Sequence, residues 1–289
     1  MAWGPNKEGF VLNILEFALL IGLGSLVAGF LGSLTGLGGG VVIVPLLVLG
    51  FGVDIRYAVG ASLISVIATS SGAAAAYVRE GYTNLRIGMF LEIATSLGAV
   101  IGAFLAARIP GAAIAVIFGA VLMYSAYLSG RPQPEPVSEG PPDPLATRLR
   151  MKGSYPTPEG PRAYHVRAVP TGFSLMFLAG ILSALLGIGS GAVKVLAMDQ
   201  AMHIPFKVST TTSNFMIGVT AAASAGIYLR RGYIDPGLAM PVMLGVLLGS
   251  LLGARILPGA RTRALRLLFS IAVFALAIEM VYHGLTGRI

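Results

Sequence analysis

Two short glycine-rich stretches, Gly36-Leu-Gly-Gly-Gly40 and Gly187-Ile-Gly-Ser-Gly191, interrupt apolar sequence at equivalent places in the two halves of the chain. A constant offset of 151 residues, the separation of Gly36 from Gly187, brings them into register without a gap. The same offset pairs further identical residues: Ala28 with Ala179, Gly29 with Gly180, Ser62 with Ser213, Thr69 with Thr220, Tyr77 with Tyr228 and Gly98 with Gly249. The chain therefore contains two copies of one unit, each with a helix broken by glycines.

The composition places these units in a lipid bilayer. Of the 289 residues, 55% are hydrophobic and only 11% are charged, and the mean hydropathy is +0.82. A soluble domain carries about 25% charged residues, so this chain cannot cover itself with polar surface. The formal net charge of +8 accompanies no basic stripe interleaved with stacking aromatics, so we expect no nucleic-acid partner. The absence of cysteine excludes disulfides, thiolate metal sites and cysteine nucleophiles.

Each half divides into five apolar segments, several of which approach the roughly 20 residues that a membrane-spanning helix needs. In the first half, the first segment ends near residue 34 and the other four cover 41–50, 57–79, 86–108 and 112–130. In the second half, the five segments cover 171–186, 191–202, 206–230, 236–255 and 261–284. We predict an all-α polytopic membrane protein with about 8–10 membrane segments. The segments after the breaks are too short to cross alone, so each either re-enters the membrane or crosses it partially with the glycine stretch.

The same pattern delimits two repeats and a linker. The first transmembrane repeat spans 11–130, a proline-rich linker spans 131–170, and the second repeat spans 171–286. Each repeat has an odd number of crossings, so the second is predicted to be inverted relative to the first. The linker holds ten of the 17 prolines and almost no aliphatic pattern, so we expect it to bury too little apolar area to fold.

Basic residues set the predicted orientation. Thirteen lie on the side that contains the 79–86 turn, the linker, Lys207 and the 255–266 region, and six lie on the other. Basic loops face the cytoplasm. We therefore predict a multi-pass protein with a cytoplasmic linker and both termini outside.

The glycine breaks are the main candidates for a binding site. Unwound backbone at both breaks leaves N–H groups at the start of the next helix, where the positive end of the helix dipole favours an anion. Such breaks, placed symmetrically in two membrane repeats, are typical of a transporter's substrate site. The alternative is close helix packing, which we assign to Gly98-xxx-Gly102 and Gly249-xxx-Gly253. The candidate substrate-binding residues at the breaks are Gly36, Gly38, Gly39, Gly40, Gly187, Gly189, Ser190 and Gly191.

Polar side chains close to the breaks extend this site. Lys194 follows Gly191 by three residues in an apolar segment, so its ammonium can help to hold the same anion. Alternatively, Lys194 reaches the interface or pairs with Asp199 or Glu92. The hydroxyl-rich stretch Lys207-Val-Ser-Thr-Thr-Thr-Ser-Asn214 adds the candidates Thr211, Ser213 and Asn214, and Ser62 is the counterpart of Ser213. These hydroxyls can instead bond the carbonyls of the preceding helical turn.

Three acidic residues lie inside apolar runs, namely Glu16, Glu92 and Glu279. A protonatable carboxylate in a membrane bundle suits proton coupling, although each can equally lie near an interface or neutralise an arginine. No Ser-His-Asp order, HExxH motif or paired-carboxylate arrangement occurs in the sequence. We therefore predict no enzyme activity, no metal site and no cofactor.

At these motifs the sequence resembles the sulfite exporter TauE/SafE family, also called the toluene-sulfonate uptake permease family. The residues that carry the resemblance are Gly36-Leu-Gly-Gly-Gly-Val-Val-Ile-Val-Pro45, Ala58-Val-Gly-Ala-Ser-Leu63, Gly187-Ile-Gly-Ser-Gly-Ala-Val-Lys-Val195 and Lys207-Val-Ser-Thr-Thr-Thr-Ser-Asn-Phe-Met-Ile-Gly-Val-Thr220. The resemblance implies an inner-membrane permease for small anions such as sulfite or organosulfonates. The chain departs from the family pattern at Leu196, Ser190 and Ala61, where proline, glycine and threonine are usual.

We therefore predict a secondary transporter, a permease or exporter, that moves a small anion such as sulfite or an organosulfonate by alternating access. The partners expected are this substrate, the lipid bilayer, a coupling proton and a second copy of the chain in a homodimer. Two alternatives stay open at this point, a passive anion channel and a non-transporting membrane scaffold or sensor.

Overall fold

The computed structural model describes residues 14–35, 39–79, 82–129, 143–151, 153–157, 160–256 and 262–287. The first half contains α1 (Ile14–Thr35), α2 (Gly40–Pro45) with a π-helical continuation (Leu46–Gly50), α3 (Ile55–Arg79), α4 (Leu85–Ala106) and α5 (Gly111–Ser129). The connecting segment contains α6 (Pro144–Arg148), β1 (Gly153–Thr157) and β2 (Gly160–Tyr164). The second half contains α7 (Val169–Leu186), α8 (Gly191–Leu196) with a π-helical continuation (Ala197–Ala201), α9 (Phe206–Arg230), α10 (Pro236–Ile256) and α11 (Thr262–Leu285).

These helices confirm the predicted all-α character of the two halves. Where a predicted bound falls on described residues, it agrees with the observed one to within two residues. The π-helical turns after α2 and α8 begin at Leu46 and Ala197, which are equivalent positions in the two halves. The turn after α8 forms although Leu196 replaces the proline found at Pro45, so proline is not required for it.

The helices of the two halves pack reciprocally. α1 packs against α10, and its counterpart α7 packs against α4. In the same way α3 contacts α10 while α9 contacts α4, and the pairs α3–α9 and α5–α11 each join equivalent helices. Such an exchange of partners is what two structural repeats related by a pseudo-twofold axis would produce. The inversion of the second repeat across the membrane stays a prediction.

Small residues allow the closest of these helix contacts, as predicted for Gly98 and Gly249. A side-chain carbon built on either glycine would collide with a backbone carbonyl of the facing helix. The sequence prediction of close packing is confirmed at these positions, while Gly253 lies among residues whose surroundings the structure does not describe. The contact recurs at equivalent positions of the two halves: Gly29 faces the Val246 carbonyl, Gly180 faces that of Thr95, Gly98 faces that of Phe177 and Gly249 faces that of Leu26.

Large apolar side chains point outward from the bundle at helical spacing. On α4 and α10 they occupy equivalent positions, so both halves present the same apolar stripe to their surroundings. A soluble protein rarely exposes such continuous apolar surface, whereas hydrocarbon solvates it. The two stripes consist of Met89, Ile93, Leu97 and Ile101 on α4, and Met240, Leu244, Leu248 and Leu252 on α10.

By length and composition, two helices among the described residues are able to cross a membrane. They are α4 and α7, each with a mean hydropathy of 1.9. The other apolar helices contribute shorter described stretches, of 10–17 residues. The predicted count of about 8–10 membrane segments therefore stays a prediction.

The expectation that the linker does not fold is wrong for its described residues 143–151, 153–157 and 160–168. This part forms α6 and the antiparallel β1–β2 hairpin. Three of its large side chains, Met151, Tyr155 and Tyr164, are buried in a cluster with Ile87 of α4 and Met202, which precedes α9. The segment therefore obtains a core by packing on the helical bundle, although its own apolar residues are too few to form one.

Polar contacts fix the hairpin to the start of α4. The Asn84 side-chain amide donates to the Tyr164 hydroxyl at 2.7 Å, and its Oδ1 caps α4 by accepting from the Ile87 N–H at 3.1 Å. Arg86 donates to the Arg150 carbonyl at 2.9 Å. Burial raises the pKa of Tyr164 above its usual range, and the Asn84 hydrogen bond offsets only part of this. The tyrosine is therefore neutral and holds the hairpin against the bundle.

Candidate functional site

The second glycine break forms a sharp turn between α7 and α8. Gly187 and Gly189 have positive φ angles of 67° and 69°, and the Gly187 N–H bonds the Ser183 carbonyl to close α7. Ser190 lies in the left-handed region, with a φ of 50°. A residue with a side chain there costs about 1–3 kcal/mol, and such strain is concentrated at functional positions. The structure thus holds Ser190 in an unfavourable conformation beside α8.

The first break is described only in part. Gly36 and Gly38 lie outside the described residues. Gly39 and Gly40 are buried at the start of α2, where the Gly39 carbonyl accepts from the N–H groups of Val42 and Ile43.

The described parts of the two breaks meet at Gly40 and Gly187. A side-chain carbon built on Gly40 would lie 3.0 Å from the Gly187 carbonyl oxygen and 2.8 Å from Oγ of Ser62. Ser62 of α3 donates to the same Gly187 carbonyl at 2.7 Å, and its side chain is fully buried. Residues predicted for the site from both halves are therefore in direct contact.

The hydroxyl groups at the start of α9 make two different kinds of contact. Ser213 faces the second break and donates to the Gly191 carbonyl at 3.4 Å. Thr211 instead bonds the carbonyls of Lys207 at 3.0 Å and Val208 at 3.2 Å, within its own helix. The Thr211 hydroxyl therefore bonds the preceding turn of its own helix, which was the predicted alternative to substrate binding.

Asn214 is connected to the first half through its backbone. Ser70 of α3 donates to the Asn214 carbonyl at 2.5 Å and accepts from the Gly218 N–H at 3.0 Å. In a regular helix those two backbone groups bond each other, so the Ser70 hydroxyl bridges one step of the hydrogen-bond ladder of α9. The counterpart of Ser70 in the second half is Ala221, so α3 has no equivalent contact.

Lys194 is bonded inside the bundle to a side chain that sequence reasoning did not single out. Its Nζ donates to Oγ1 of Thr220 at 2.6 Å, and the Lys194 side chain is 0% exposed. Oγ1 of Thr220 also lies 2.8 Å from Oε1 of Glu92. The Thr220 hydroxyl thus links an ammonium group on α8 to a carboxylate on α4.

The surroundings of Glu92 satisfy one of its oxygens. Ser96 donates to Oε1 at 2.9 Å. Oε2 is buried and has no hydrogen-bond partner among the described residues, although Glu92 is only 6% exposed. Oγ of Ser190, buried in the break, is another of the buried polar atoms that have no partner in the described part of the chain. Buried polar atoms are normally bonded, so these two require a proton, water or ligand.

The other two acidic candidates have different surroundings. Glu16 on α1 and Glu279 on α11 are exposed on the outer surface of the bundle. Among the three, Glu92 is the one that the fold brings to the lysine beside the break. Within the described residues, no group of three or more His, Asp or Glu side chains could hold a metal ion.

Thr220 and Ser70 are the polar residues that the sequence did not identify. Thr220 appeared in the sequence as the partner of Thr69 in the repeat register and as the last residue of a family motif, without a role of its own, and Ser70 was one of many serines in an apolar helix. The position of Thr220 in the sequence gives one signal that could have identified it. It lies on α9, a helix turn and a half beyond Asn214, and its partner Thr69 bonds only the carbonyls of Ser65 and Val66 within its own helix.

Comparison with known proteins places this chain among membrane transporters. The family described as "Sulfite exporter TauE/SafE" matches residues 21–280. The chain is similar to the "Probable membrane transporter protein YunE" of Bacillus subtilis, with 28% identity over 94% of this chain and 99% of that protein. It is also similar to the "Probable membrane transporter protein YdhB" of Bacillus subtilis, with 26% identity over 82% and 87%. A "Probable membrane transporter protein" of Xylella fastidiosa is 25% identical over 94% and 98%. No solved structure matches.

Proposed function

Because the chain belongs to the sulfite exporter TauE/SafE family, we propose that this membrane-embedded protein is a secondary transporter for a small anion. The relatives that it matches are named as membrane transporters, which are generally not enzymes. The proposed substrate is sulfite or an organosulfonate, and the proposed mechanism is alternating access. The site lies where the glycine breaks of the two halves meet, between α2, α3, α8 and α9.

The observation that carries the proposal is the fully buried Lys194 three residues after the second break. A buried ammonium is costly unless a negative charge or strong acceptors surround it. A sulfur oxyanion offers several acceptor oxygens, which suits the three donors of an ammonium group and a nearby hydroxyl such as that of Ser190. The unpartnered Ser190 hydroxyl supports a ligand at this place.

The burial of the site supports a carrier over a passive channel. Ser62, Ser190, Lys194 and Ser213 are all at most 2% exposed. An anion can reach these groups only after the helices around them separate. The two halves each contribute one side of the junction, so a relative movement of the halves would open it, first to one side of the membrane and then to the other.

Lys194→Met tests the site. We expect it to abolish anion flux in proteoliposomes, because the neutral side chain removes the charge that attracts the substrate. The variant also leaves Glu92 buried without a cation, which is expected to cost about 3–5 kcal/mol and can impair folding.

The double variant Lys194→Met, Glu92→Gln separates the two effects. It removes both charges, so the protein should recover a stability near that of the wild type while flux stays absent. Wild-type flux in the folded double variant would exclude Lys194 from substrate binding.

Counterflow distinguishes the carrier from a channel. Liposomes preloaded with unlabelled sulfite or an organosulfonate should accumulate labelled substrate transiently, because a carrier returns loaded faster than empty. A protein that conducts the anion without this trans-acceleration is a channel, and alternating access would then be wrong.

A further inference from the structure

The buried network around Thr220 contains one positive and one negative group. Lys194 of α8 and Glu92 of α4 reach the same hydroxyl oxygen, at 2.6 Å and 2.8 Å. The remaining contacts of this network are hydroxyl groups and backbone, namely Ser96 with Glu92, and the Met216 carbonyl and Thr95 with Thr220. With Lys194 and Glu92 both ionised, the network therefore has a net charge close to zero.

The requirement for neutrality constrains what happens when an anion binds. A substrate anion at Lys194 adds one negative charge to a site that is shielded from water. An uncompensated charge in such surroundings is strongly unfavourable. The negative charge already present on Glu92 must then be neutralised, and protonation of the carboxylate does this directly.

Glu92 has an atom available for this proton. Oε1 is engaged by Ser96 and Thr220, whereas Oε2 is buried and has no partner among the described residues. A proton on Oε2 would remove the charge without disturbing the hydrogen bonds to Oε1. The proton comes from the water on the side from which the anion enters.

We propose that Thr220 is the positioning residue of a charge exchange. In this exchange the Lys194 ammonium pairs with Glu92 in the empty site and with the anion in the loaded site, and Glu92 takes up a proton when the anion binds. The inference rests on the proposed transport function and adds its coupling: one proton moves with each monovalent anion, and the transport cycle carries no net charge. In the empty site the ammonium and the carboxylate balance; in the loaded site the ammonium and the anion balance, and Glu92 is neutral.

The neighbouring charged groups leave Glu92 as the group that takes the proton. Residues 169–186 of α7, which pack on α4, contain no charged side chain. The charged residues of α9, Lys207 and Arg230, lie at its two ends. Asp199 follows Lys194 by five residues on the π-helical turn and is also buried. Its Oδ1 also lacks a hydrogen-bond partner among the described residues. No described hydrogen bond joins Asp199 to Lys194, Thr220 or Glu92, so Asp199→Asn provides the comparison variant.

The experiment uses methanesulfonate as the transported anion, because it stays ionised across the accessible pH range and any proton movement must come from the protein. Purified protein in liposomes is assayed for anion uptake, for internal acidification with an entrapped pH dye, and for charge movement on a solid-supported membrane. For the wild type we expect one proton per anion, no net charge movement, and uptake that accelerates as the pH on the loading side falls. The acceleration is at most about tenfold per pH unit while the protonated fraction limits the rate.

Glu92→Gln should separate anion from proton. The amide is neutral in every state, so the variant should bind the anion more tightly, transport it with net negative charge and lose the pH dependence. If the pH dependence persists in Glu92→Gln and disappears in Asp199→Asn, the assignment to Glu92 is wrong. Electrogenic, proton-independent uptake by the wild type would overturn the exchange and leave the proposed transport function intact. Absence of any uptake of methanesulfonate, sulfite or other organosulfonates would refute the transport function itself.

Thr220 is tested by a pair of substitutions and a repeat-matched control. Thr220→Val removes the hydroxyl and should lower the ratio of protons to anions well below one, whereas Thr220→Ser should restore it. A purely structural threonine would change stability in both variants without changing this ratio. Thr69→Val alters the equivalent residue of the first half, whose hydroxyl bonds only its own helix, and should keep the wild-type ratio. An unchanged ratio in Thr220→Val would overturn the role of Thr220 even if that of Glu92 stands.

Discussion

Gly40→Ala tests the contact between the two glycine breaks. The added methyl group would lie 2.8 Å from Oγ of Ser62, 3.0 Å from the Gly187 carbonyl oxygen and 3.1 Å from a methyl group of Val66. Carbon atoms do not approach a backbone oxygen this closely without movement of one of them. The Ser62 hydroxyl cannot rotate away freely, because it donates to the Gly187 carbonyl at 2.7 Å.

The expected size of the effect follows from three contributions. Overpacking of a close contact costs about 1–3 kcal/mol. Loss of the bond from Ser62 to Gly187 adds about 1 kcal/mol. Replacement of glycine by alanine in a helix raises the free energy of unfolding by about 0.5–1 kcal/mol, which offsets part of this loss. We therefore expect the free energy of unfolding to fall by about 1–3 kcal/mol.

The measurement compares Gly40→Ala with Gly226→Ala, in which the added methyl group meets nothing within 4 Å. Unfolding followed by far-UV circular dichroism in one detergent gives the stability of both variants. Gly226→Ala should equal or exceed the wild type, because alanine favours the helix. Anion uptake in liposomes should fall in Gly40→Ala and stay unchanged in Gly226→Ala, because the added methyl group displaces the Ser62 and Gly187 groups that line the proposed site.

Two results would refute this reasoning. If Gly40→Ala is as stable as Gly226→Ala, the two breaks do not pack as closely as described. If Gly40→Ala is destabilised but transports at the wild-type rate, the breaks meet without forming the substrate site.

Three further substitutions test the packing away from the site. Tyr164→Phe should lower the free energy of unfolding by about 1 kcal/mol, because the Asn84 amide loses its acceptor. The control is Tyr124→Phe, at an exposed tyrosine. Equal stability of the two variants would contradict docking of the hairpin through this bond. Gly29→Ala and Gly180→Ala should each cost about 1–3 kcal/mol and combine additively to within about 0.5 kcal/mol, because they are separate copies of one contact. A large effect of only one of them in the same unfolding assay would contradict the reciprocal packing of the halves.

The helices and breaks were predictable because their causes are local. Apolar runs of membrane length, interrupted by glycines at equivalent positions, specify where each helix begins and ends. The Gly-xxx-Gly spacing also predicted the close helix packing at Gly98 and at Gly249. The β1–β2 hairpin was not predictable in this way, because Tyr155 and Tyr164 are buried by other parts of the chain.

The sequence by itself therefore determined a membrane protein of two helical repeats, and it marked the breaks, Lys194 and Glu92 as polar interruptions of apolar segments. It left open whether Lys194 reaches the interface, Asp199 or Glu92. The tertiary structure decided this by packing α4 and α8 on α9, so that both charged groups reach Thr220. The physical reason is that helix formation follows from local backbone and side-chain preferences, whereas a buried charge obtains its partner only from helices that are distant in sequence.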